Sequence, residues 1–309
     1  MLQVLTIILP IFLLIGIGFA AIRGGIFEAK DMRVLGAFTI TFAMPALIIR
    51  TFALNPIREV IETRFLVGYG VVSLLLFAVV YLVAPRLHAQ PAARGAMQAM
   101  GASMSNSGFI GFPVVTMALG AIGAPGLAMC LLVENFLILP AALILAEKSR
   151  SGGRTMPEII REIAGRLARN PLVIAIFAGT VLAVTELKPP APLFKVIDLL
   201  AATAAPVALF AIGGILAGMK PGGQPKGIGL VVLGKLVLHP LGMLGALALW
   251  PPADPMLAKA MLIFASAPMI AVYPIIGGRY GEEEFCAATL FVTMLCGFVT
   301  LSAVLFLIL

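Results

Sequence analysis

Charge is what this sequence has least of. Only 11% of its 309 residues are Asp, Glu, Lys or Arg, whereas 61% are hydrophobic and the mean hydropathy is +1.11. A soluble domain is about a quarter charged, so this chain could not cover a water-facing surface and is expected in a lipid bilayer. Aromatic residues are also few, with one Trp and four Tyr. Gly (32) and Pro (22) are plentiful, as is common in transmembrane helices.

Cysteine and histidine are equally scarce, with three Cys and two His. Their spacing makes neither a metal site nor a disulfide framework, so we expect no cofactor and no metal. The apolar runs carry no Ser–His or paired-Asp constellation, which argues against an intramembrane enzyme. The first apolar run lacks a preceding basic residue and a small-residue cleavage pattern, so we expect a retained helix rather than a signal peptide.

The apolar runs are near 20 residues long, which is the length of a helix that crosses a hydrocarbon core of about 30 Å. A membrane barrel would instead show alternating segments of about ten residues. The sequence therefore predicts an all-α membrane protein with ten transmembrane spans. They are numbered 1 to 10 in chain order, at about 3–22, 34–53, 65–84, 95–118, 123–146, 171–186, 194–218, 227–249, 256–278 and 285–308.

Lys and Arg are distributed unevenly between alternate loops. With the N-terminus outside, 14 of the 21 basic residues fall in inside loops and five in outside loops. Because cytoplasmic loops hold the basic excess, the sequence predicts a multi-pass protein of a bacterial inner membrane with both termini outside. The net charge of +7 then reflects topology, and we expect no nucleic-acid partner.

The longest loop, 147–170, has the pattern of a short amphipathic helix. Thr155 and Glu158 have capping-box spacing, and Ile159, Ile160 and neighbouring apolar residues share one face. Its arginines would face anionic headgroups. We interpret this cytoplasmic segment as a connector between two halves of the chain.

An internal repeat relates those halves. At an offset of 161 residues, three prolines and three glycines recur, and each proline is at the same place in its own span, in spans 1 and 6, 2 and 7, and 4 and 9. The pairs are Pro10 and Pro171, Pro45 and Pro206, Pro113 and Pro274, Gly18 and Gly179, Gly68 and Gly229, and Gly120 and Gly281. Because each copy holds five spans, the second must enter the membrane upside down, as in many secondary transporters. We therefore predict a first five-helix repeat at 1–146 and an inverted repeat at 171–309.

Spans 4 and 9 carry helix-breaking residues at matched positions, in "SNSGFIGFP" at 105–113 and "ASAPMIAVYPIIGG" at 265–278. Proline removes a backbone donor and clashes with the carbonyl four residues back, so we expect both helices to be broken and to cross. A half-helix that begins after each break has a positive end with free N–H groups, which suits an anion such as a carboxylate. Single prolines are often packing kinks, but the matched pair beside an Asn favours binding. The predicted substrate-binding residues are Ser105, Asn106, Ser107, Gly108, Gly111, Phe112, Pro113, Pro268, Met269, Tyr273 and Pro274.

The same segment resembles the auxin efflux carrier family, whose pattern of Asn, a small residue and then Gly-x-Pro is matched by Asn106, Gly111 and Pro113. "RNPLVIAIFAG" at 169–179 and "AAPVALFAIGGIL" at 204–216 are also similar to the family's second half. The sequence departs from the family pattern in span 9, where apolar Met269 and Ile270, instead of a polar residue, follow Pro268. The family is related to the bile-acid sodium symporters.

The resemblance implies two bodies, a scaffold of spans 1, 2, 6 and 7 and a transport domain of spans 3–5 and 8–10. The substrate would be carried between them by an elevator-type movement. A homodimer formed through the scaffold is compatible with this arrangement, and the resemblance leaves the choice of protons or sodium as coupling ion open.

Two charged residues, Glu134 and Lys235, lie well within spans 5 and 8. Charges inside a membrane cost at least about 2.5 kcal/mol each and usually mark a pathway or an ion pair. Glu134 is therefore a candidate proton carrier, with an ion pair to Lys235 as the equal alternative. For Lys235 we favour a structural role, either in that pair or with its amine reaching the membrane surface. His239 has the pattern of an interior histidine, and Arg50 and Asp198 that of interfacial residues.

These observations predict a secondary active transporter for a small organic anion, either a malonate-like dicarboxylate or an auxin-like monocarboxylate, with proton coupling through Glu134. A sodium symporter of bile-acid-like anions is an alternative, although few carboxylates and amides cluster near the breaks. An intramembrane enzyme and a passive channel, which would show no saturation, are more distant alternatives.

Overall fold

The computed structural model describes residues 2–55, 57–87, 91–150, 155–218 and 227–309. In these ranges the regular structure is helical, apart from one isolated antiparallel bridge, so the predicted all-α class is confirmed. The helices are α1 (Leu2–Arg23), α2 (Ala29–Leu54), α3 (Ile57–Val60), α4 (Thr63–Leu87), α5 (Ala92–Ser103), α6 (107–119), α7 (123–150), α8 (Met156–Ala168), α9 (Pro171–Thr185), α10 (Ala191–Gly218), α11 (Ile228–Leu249), α12 (Pro255–Ser266), α13 (Tyr273–Gly278) and α14 (Glu283–Ile308).

Six helical segments of the described chain are long and apolar enough to cross a membrane, and a seventh is gained if α8 and α9, which meet at a bend of 67°, form one span. The six are Ala29–Leu54, Thr63–Leu87, Ser107–Arg150, Ala191–Gly218, Ile228–Leu249 and Glu283–Ile308, and shorter apolar helices lie at Leu9–Arg23 and Pro255–Ser266. These lengths indicate a multi-pass membrane protein. The count of ten spans stays a prediction.

The longest of these segments contains a sharp turn between predicted spans 4 and 5. Gly120 has a φ of +73°, a left-handed conformation that favours glycine, and it begins a short 3-10 turn. The α6 and α7 helices pack against each other across this turn, and a Cβ atom on Gly123 would lie 2.4 Å from Thr116 Oγ1. The segment is therefore a helical hairpin and not a single rod.

Four of the described helices contain one π-helical turn each. These turns are Thr39–Ala43 in α2, Ser107–Gly111 at the start of α6, Glu134–Ile138 in α7 and Gly234–Leu238 in α11. A π turn inserts one extra residue and so rotates the side chains that follow, and such turns are frequent at functional sites. Periodicity in the sequence gives no sign of them.

The α1 and α10 helices pack with their backbones in direct contact. A Cβ atom on Gly18 would lie 2.0 Å from the Phe210 carbonyl oxygen, and one on Gly213 would lie 1.8 Å from the Ile15 carbonyl oxygen. The α2 helix packs on α9 and α10. The remaining long helices contact one another mainly as α4 with α5 and α11, α5 with α7, and α12 and α13 with α14.

Gly18→Ala is expected to lower the free energy of unfolding by about 1–3 kcal/mol, because the added methyl group forces two helix backbones apart. Gly16→Ala is the matched control on the same helix, since no atom lies within 4 Å of its Cβ position. Thermal unfolding of the purified protein in detergent compares the two variants. Equal melting temperatures would contradict the close contact between α1 and α10.

The amphipathic helix predicted from its capping box is present as α8, with Thr155 N donating to Glu158 Oε2 at 2.8 Å. It packs on α7, where Ile159 and Ile163 are buried. Ile160, which the pattern places on the same face, is about half exposed. The apolar face of this helix is therefore covered largely by protein. The sequence pattern, which predicted arginines facing lipid headgroups, did not predict this contact.

Candidate functional site

The two predicted helix breaks are present, and they meet. The chain leaves the helical conformation between α5 and α6, and again at 267–272 between α12 and α13. Ser105 and Met269 form the antiparallel bridge, and Asn106 N donates to the Pro268 carbonyl oxygen at 2.7 Å. Backbone groups that leave a helix inside a membrane need such partners, since each unsatisfied one costs several kcal/mol. Each break therefore stabilises the other.

Asn106 stands at the start of α6 and uses its two ends differently. Its side-chain oxygen accepts a hydrogen bond from Phe109 N at 3.3 Å, and its carbonyl oxygen accepts from Ile110 N and Gly111 N. Its side-chain nitrogen, Nδ2, is buried and has no hydrogen-bond partner among the described residues. Because the oxygen is held by the helix cap, the nitrogen is left as a donor. An unsatisfied buried donor costs about 1–3 kcal/mol, so it calls for an acceptor from a ligand.

We call the place where the two breaks meet, at 104–106 and 267–272, the crossing. A cavity of about 120 Å³ lies beside it. Its walls come from α2, the two broken segments, α7 and the start of α9. The lining residues are Ile40, Met44, Met104, Ser105, Asn106, Ser107, Gly108, Phe109, Leu131, Glu134, Asn135, Leu139, Asn170, Leu172, Ile270, Ala271, Val272 and Ile276. Three of the four π-helical turns contribute to this wall. The cavity is thus mostly apolar with a few converging polar groups, as small-molecule sites usually are.

Two further asparagines line the cavity, and both already have partners. Asn170 Oδ1 accepts from Leu172 N at 2.9 Å and so caps α9, while its Nδ2 donates to Asn135 Oδ1 at 3.3 Å. Asn135 Nδ2 in turn donates to the Leu131 carbonyl oxygen. Asn170 was missed as a site residue, although Asn followed by Pro at a helix start is a recognisable cap.

Glu134 is the carboxylate of the cavity, and it is 1% exposed. Its Oε1 atom accepts from Ser107 Oγ at 2.5 Å and from Ser105 N at 3.3 Å, and it lies 3.1 Å from Tyr69 Oη. Tyr69 Oη is also 3.1 Å from Ser105 Oγ. Both serines were predicted at the site, whereas Tyr69 on α4 was not, because nothing local in the sequence connects it to the breaks.

Lys235 lies behind the crossing and is fully buried, so its amine does not reach the membrane surface. Its Nζ donates to Ser105 Oγ at 2.7 Å and to the Ala265 carbonyl oxygen at 2.6 Å. Within the described residues Lys235 and Glu134 form no direct ion pair. Ser105 stands between them, so the two charged groups belong to one hydrogen-bonded chain.

The other residues predicted to bind substrate lie outside the cavity wall. Tyr273 is buried with its hydroxyl donating to the Met97 carbonyl oxygen at 2.8 Å, and a Cβ atom on Gly111 would lie 2.6 Å from the ring of Phe264. Pro268 packs against Gly297. The set that the cavity does not include is Gly111, Phe112, Pro113, Pro268, Met269, Tyr273 and Pro274. In this structure they shape the crossing and do not line the cavity.

The second break also differs from the first. The α13 helix has only six residues, whereas α6 runs for two helical stretches from 107 to 119. At the second break the cavity is lined by the apolar residues Ile270, Ala271 and Val272. Arg50 and Asp198, both predicted as interfacial residues, are paired at 2.5 Å with both side chains partly exposed.

Comparison with known proteins identifies the family of this chain. The family described as Membrane transport protein matches residues 3–305. A Rhizobium meliloti (strain 1021) protein named "Putative malonate transporter" is 32% identical over 313 aligned residues, which cover 100% of this chain and 97% of that protein. An Escherichia coli (strain K12) protein named "Uncharacterized transporter YfdV" is 26% identical over 242 residues, with 77% of this chain and 76% of its own length covered. The chain therefore belongs to the Membrane transport protein family, the auxin efflux carrier family that its "SNSGFIGFP" segment resembles, and it is a membrane transporter and not an enzyme.

Proposed function

We propose that this chain is a secondary active transporter that binds a small organic anion, a dicarboxylate of malonate size, in the cavity at the crossing. One observation carries the proposal. Asn106 Nδ2 is a buried donor without a partner among the described residues, and Asn106 lines a cavity large enough for a small solute. A carboxylate oxygen is the acceptor that such a donor would take, with a gain of about 1.5–3 kcal/mol for a hydrogen bond to a charged group.

The start of α6 adds a favourable field for an anion. The first N–H groups of a helix have no partner within it, and its N-terminus carries about half a positive charge. Asn106 satisfies the N–H groups of Phe109, Ile110 and Gly111. The first two residues of the helix, Ser107 and Gly108, line the cavity. The positive end of α6 therefore lies at the same small volume as Asn106.

The cavity size favours the smaller of the two substrate classes. Sites for drug-sized ligands measure about 300–1,000 Å³, and the cavity of about 120 Å³ is below that range. A short dicarboxylate fits this scale better than an indole-bearing acid does. The name of the Rhizobium meliloti relative, which mentions malonate, supports the same choice.

The helix contacts support two bodies that move against each other as an elevator. We assign α1, α2, α9 and α10 to the scaffold and α4–α7 and α11–α14 to the transport domain, in a bacterial inner membrane. The cavity lies on the proposed boundary, with Ile40, Met44 and Leu172 on the scaffold side and Glu134 and Ser107 on the other. A substrate held there would travel with the crossing.

Matched details support the inverted repeat of ten spans. Gly120 and Gly281, at the predicted offset, both have positive φ, at +73° and +78°. The α1–α10 contact at Gly18 has its counterpart in the α9–α2 contact, where a Cβ atom on Gly179 would lie 2.8 Å from the ring of Phe52. Two copies of one unit would produce such pairs, and both termini would then lie outside.

Glu134 is the proposed coupling group. A substrate carboxylate 4 Å from an ionised Glu134 would be repelled by about 4 kcal/mol at an effective dielectric constant of about 20. The anion is therefore expected to bind together with a proton on Glu134, which links substrate movement to proton movement. Sodium coupling is the alternative, and it would need a cation site that uses the same region.

The experiment that tests this proposal is a thermal-shift screen of the purified protein in detergent, followed by uptake into proteoliposomes. Malonate, succinate, acetate and indole-3-acetate form the panel. We expect a concentration-dependent rise in melting temperature with malonate, because a ligand of the native state stabilises it, and saturable uptake of labelled malonate. No stabilisation by any carboxylate, or uptake that never saturates, would contradict the proposal.

A further inference from the structure

The ammonium group of Lys235 has a complete set of acceptors. Nζ lies 2.7 Å from Ser105 Oγ, 2.7 Å from His239 Nδ1 and 2.6 Å from the Ala265 carbonyl oxygen. A lysine ammonium has three N–H donors and no acceptor. Three donors therefore meet three acceptors, so no N–H group of the buried ammonium is left unsatisfied.

This geometry also fixes the state of His239. Because the ammonium group can only donate, His239 Nδ1 is an acceptor and the ring proton is on Nε2. His239 Nε2 lies 3.0 Å from Ser73 Oγ, to which it donates. All these groups are buried. The histidine is thus a neutral ligand of the ammonium group and not a second charge.

The acceptors come from the parts of the fold where an unattached cation would be held. Ala265 is in the last turn of α12, whose C-terminal end carries partial negative charge, and Ser105 belongs to the unwound segment of the first break. In transporters with broken helices, unwound backbone and half-helix C-terminal ends coordinate the coupling cation. In this chain the positive charge at that place is covalently attached.

We propose that Lys235 is a built-in cation that occupies an ion-binding site behind the crossing, so that the chain holds its two broken helices together without a sodium ion. Ser105 contacts both charged residues, since its Oγ atom accepts from Lys235 Nζ and its N–H group donates to Glu134 Oε1. One positive and one negative residue therefore lie on either side of the first break. The consequence for transport, uptake that does not depend on sodium, rests on the proposed function. The cation site itself does not.

The test uses two replacements that differ only in whether they fill the space. Lys235→Ala leaves a hole where the ammonium group was bound, and Lys235→Met fills the hole with an apolar chain. The Lys235→Ala protein is expected to melt roughly 5–10 °C below the wild type, since buried acceptors lose the donor that satisfies them. Propylammonium, the size of the deleted side chain, is expected to raise the melting temperature of Lys235→Ala with increasing concentration.

Three controls separate a cation site from a general salt effect. Tetramethylammonium has the same charge and no N–H donor, so it should stabilise none of the variants. Lys235→Met should not respond to propylammonium, because its side chain occupies the site. Lys259→Ala removes a half-buried lysine of α12 outside this cluster and should neither lose much stability nor respond. Equal responses of Lys235→Ala and Lys235→Met to propylammonium would overturn the proposal.

The wild-type protein gives a second measurement that does not need the variants to fold. If Lys235 fills the site, sodium chloride and choline chloride at equal ionic strength should give the same melting temperature. A stabilisation specific to sodium would overturn the proposal. Neither measurement includes an organic anion, so a protein that fails the carboxylate screen could still pass here, and the two proposals can fail separately.

Discussion

Asn106→Ala is expected to abolish saturable uptake of a small dicarboxylate while leaving membrane expression intact. The replacement removes the buried Nδ2 donor at the cavity and the oxygen that caps α6. Loss of a hydrogen bond to a charged group weakens binding by about 1.5–3 kcal/mol, which corresponds to roughly 10- to 150-fold in affinity. Uptake of labelled malonate into proteoliposomes, with the amount of reconstituted protein measured, checks the prediction.

Asn106→Ser is the variant that separates binding from folding. Serine is as good an N-cap as asparagine, so its hydroxyl can accept from Phe109 N, but it offers no group at the position of Nδ2. We expect a melting temperature close to that of the wild type, and about 1 kcal/mol less stability for Asn106→Ala. Both variants should lose malonate-induced stabilisation. Normal uptake by Asn106→Ser would remove the donor from the site.

Glu134→Gln is expected to abolish the proton flux that accompanies substrate uptake. The amide keeps the size of the side chain and can still accept from Ser107 and Tyr69, but it cannot take up a proton. Binding of the anion should persist, since the neutral amide imitates the protonated acid beside which the anion binds. A pH-sensitive dye trapped in proteoliposomes, read while malonate is added outside, measures the flux.

Asp198→Asn is the matched control for this change. Asp198 is a carboxylate paired with Arg50 and distant in the chain from the crossing, and both side chains are partly exposed, so losing the pair should cost little. The control is expected to keep the proton signal of the wild type. A proton flux that is unchanged in Glu134→Gln would exclude Glu134 as the coupling group.

The positions of both helix breaks could be predicted from the sequence. Proline, glycine and asparagine act through local backbone geometry, so their effect is visible in a short segment. The same local chemistry gave the capping box of α8 and placed Ser105, Asn106, Ser107 and Gly108 at the site. Composition alone gave the membrane class, because a bilayer constrains the whole chain.

The features that could not be predicted from the sequence depend on how side chains are rotated about a helix and on contacts between residues far apart in the chain. The π-helical turn at Ser107–Gly111 shifts the phase of the residues after it, and Phe112 and Pro113 are not part of the cavity wall. A matched position in a repeat also does not guarantee a matched environment, since α13 is much shorter than α6. Tyr69 and Lys235 meet Ser105 only because α4 and α11 both pack against the first break.

A density map of the purified protein prepared with malonate, determined by cryo-electron microscopy, tests the central claim most directly. The account predicts ligand density inside the cavity beside the crossing, with one carboxylate oxygen about 2.7–3.2 Å from Asn106 Nδ2. The Asn106→Ser protein prepared in the same way should show no such density. Malonate bound elsewhere, with the cavity beside Asn106 left to solvent, would contradict the account.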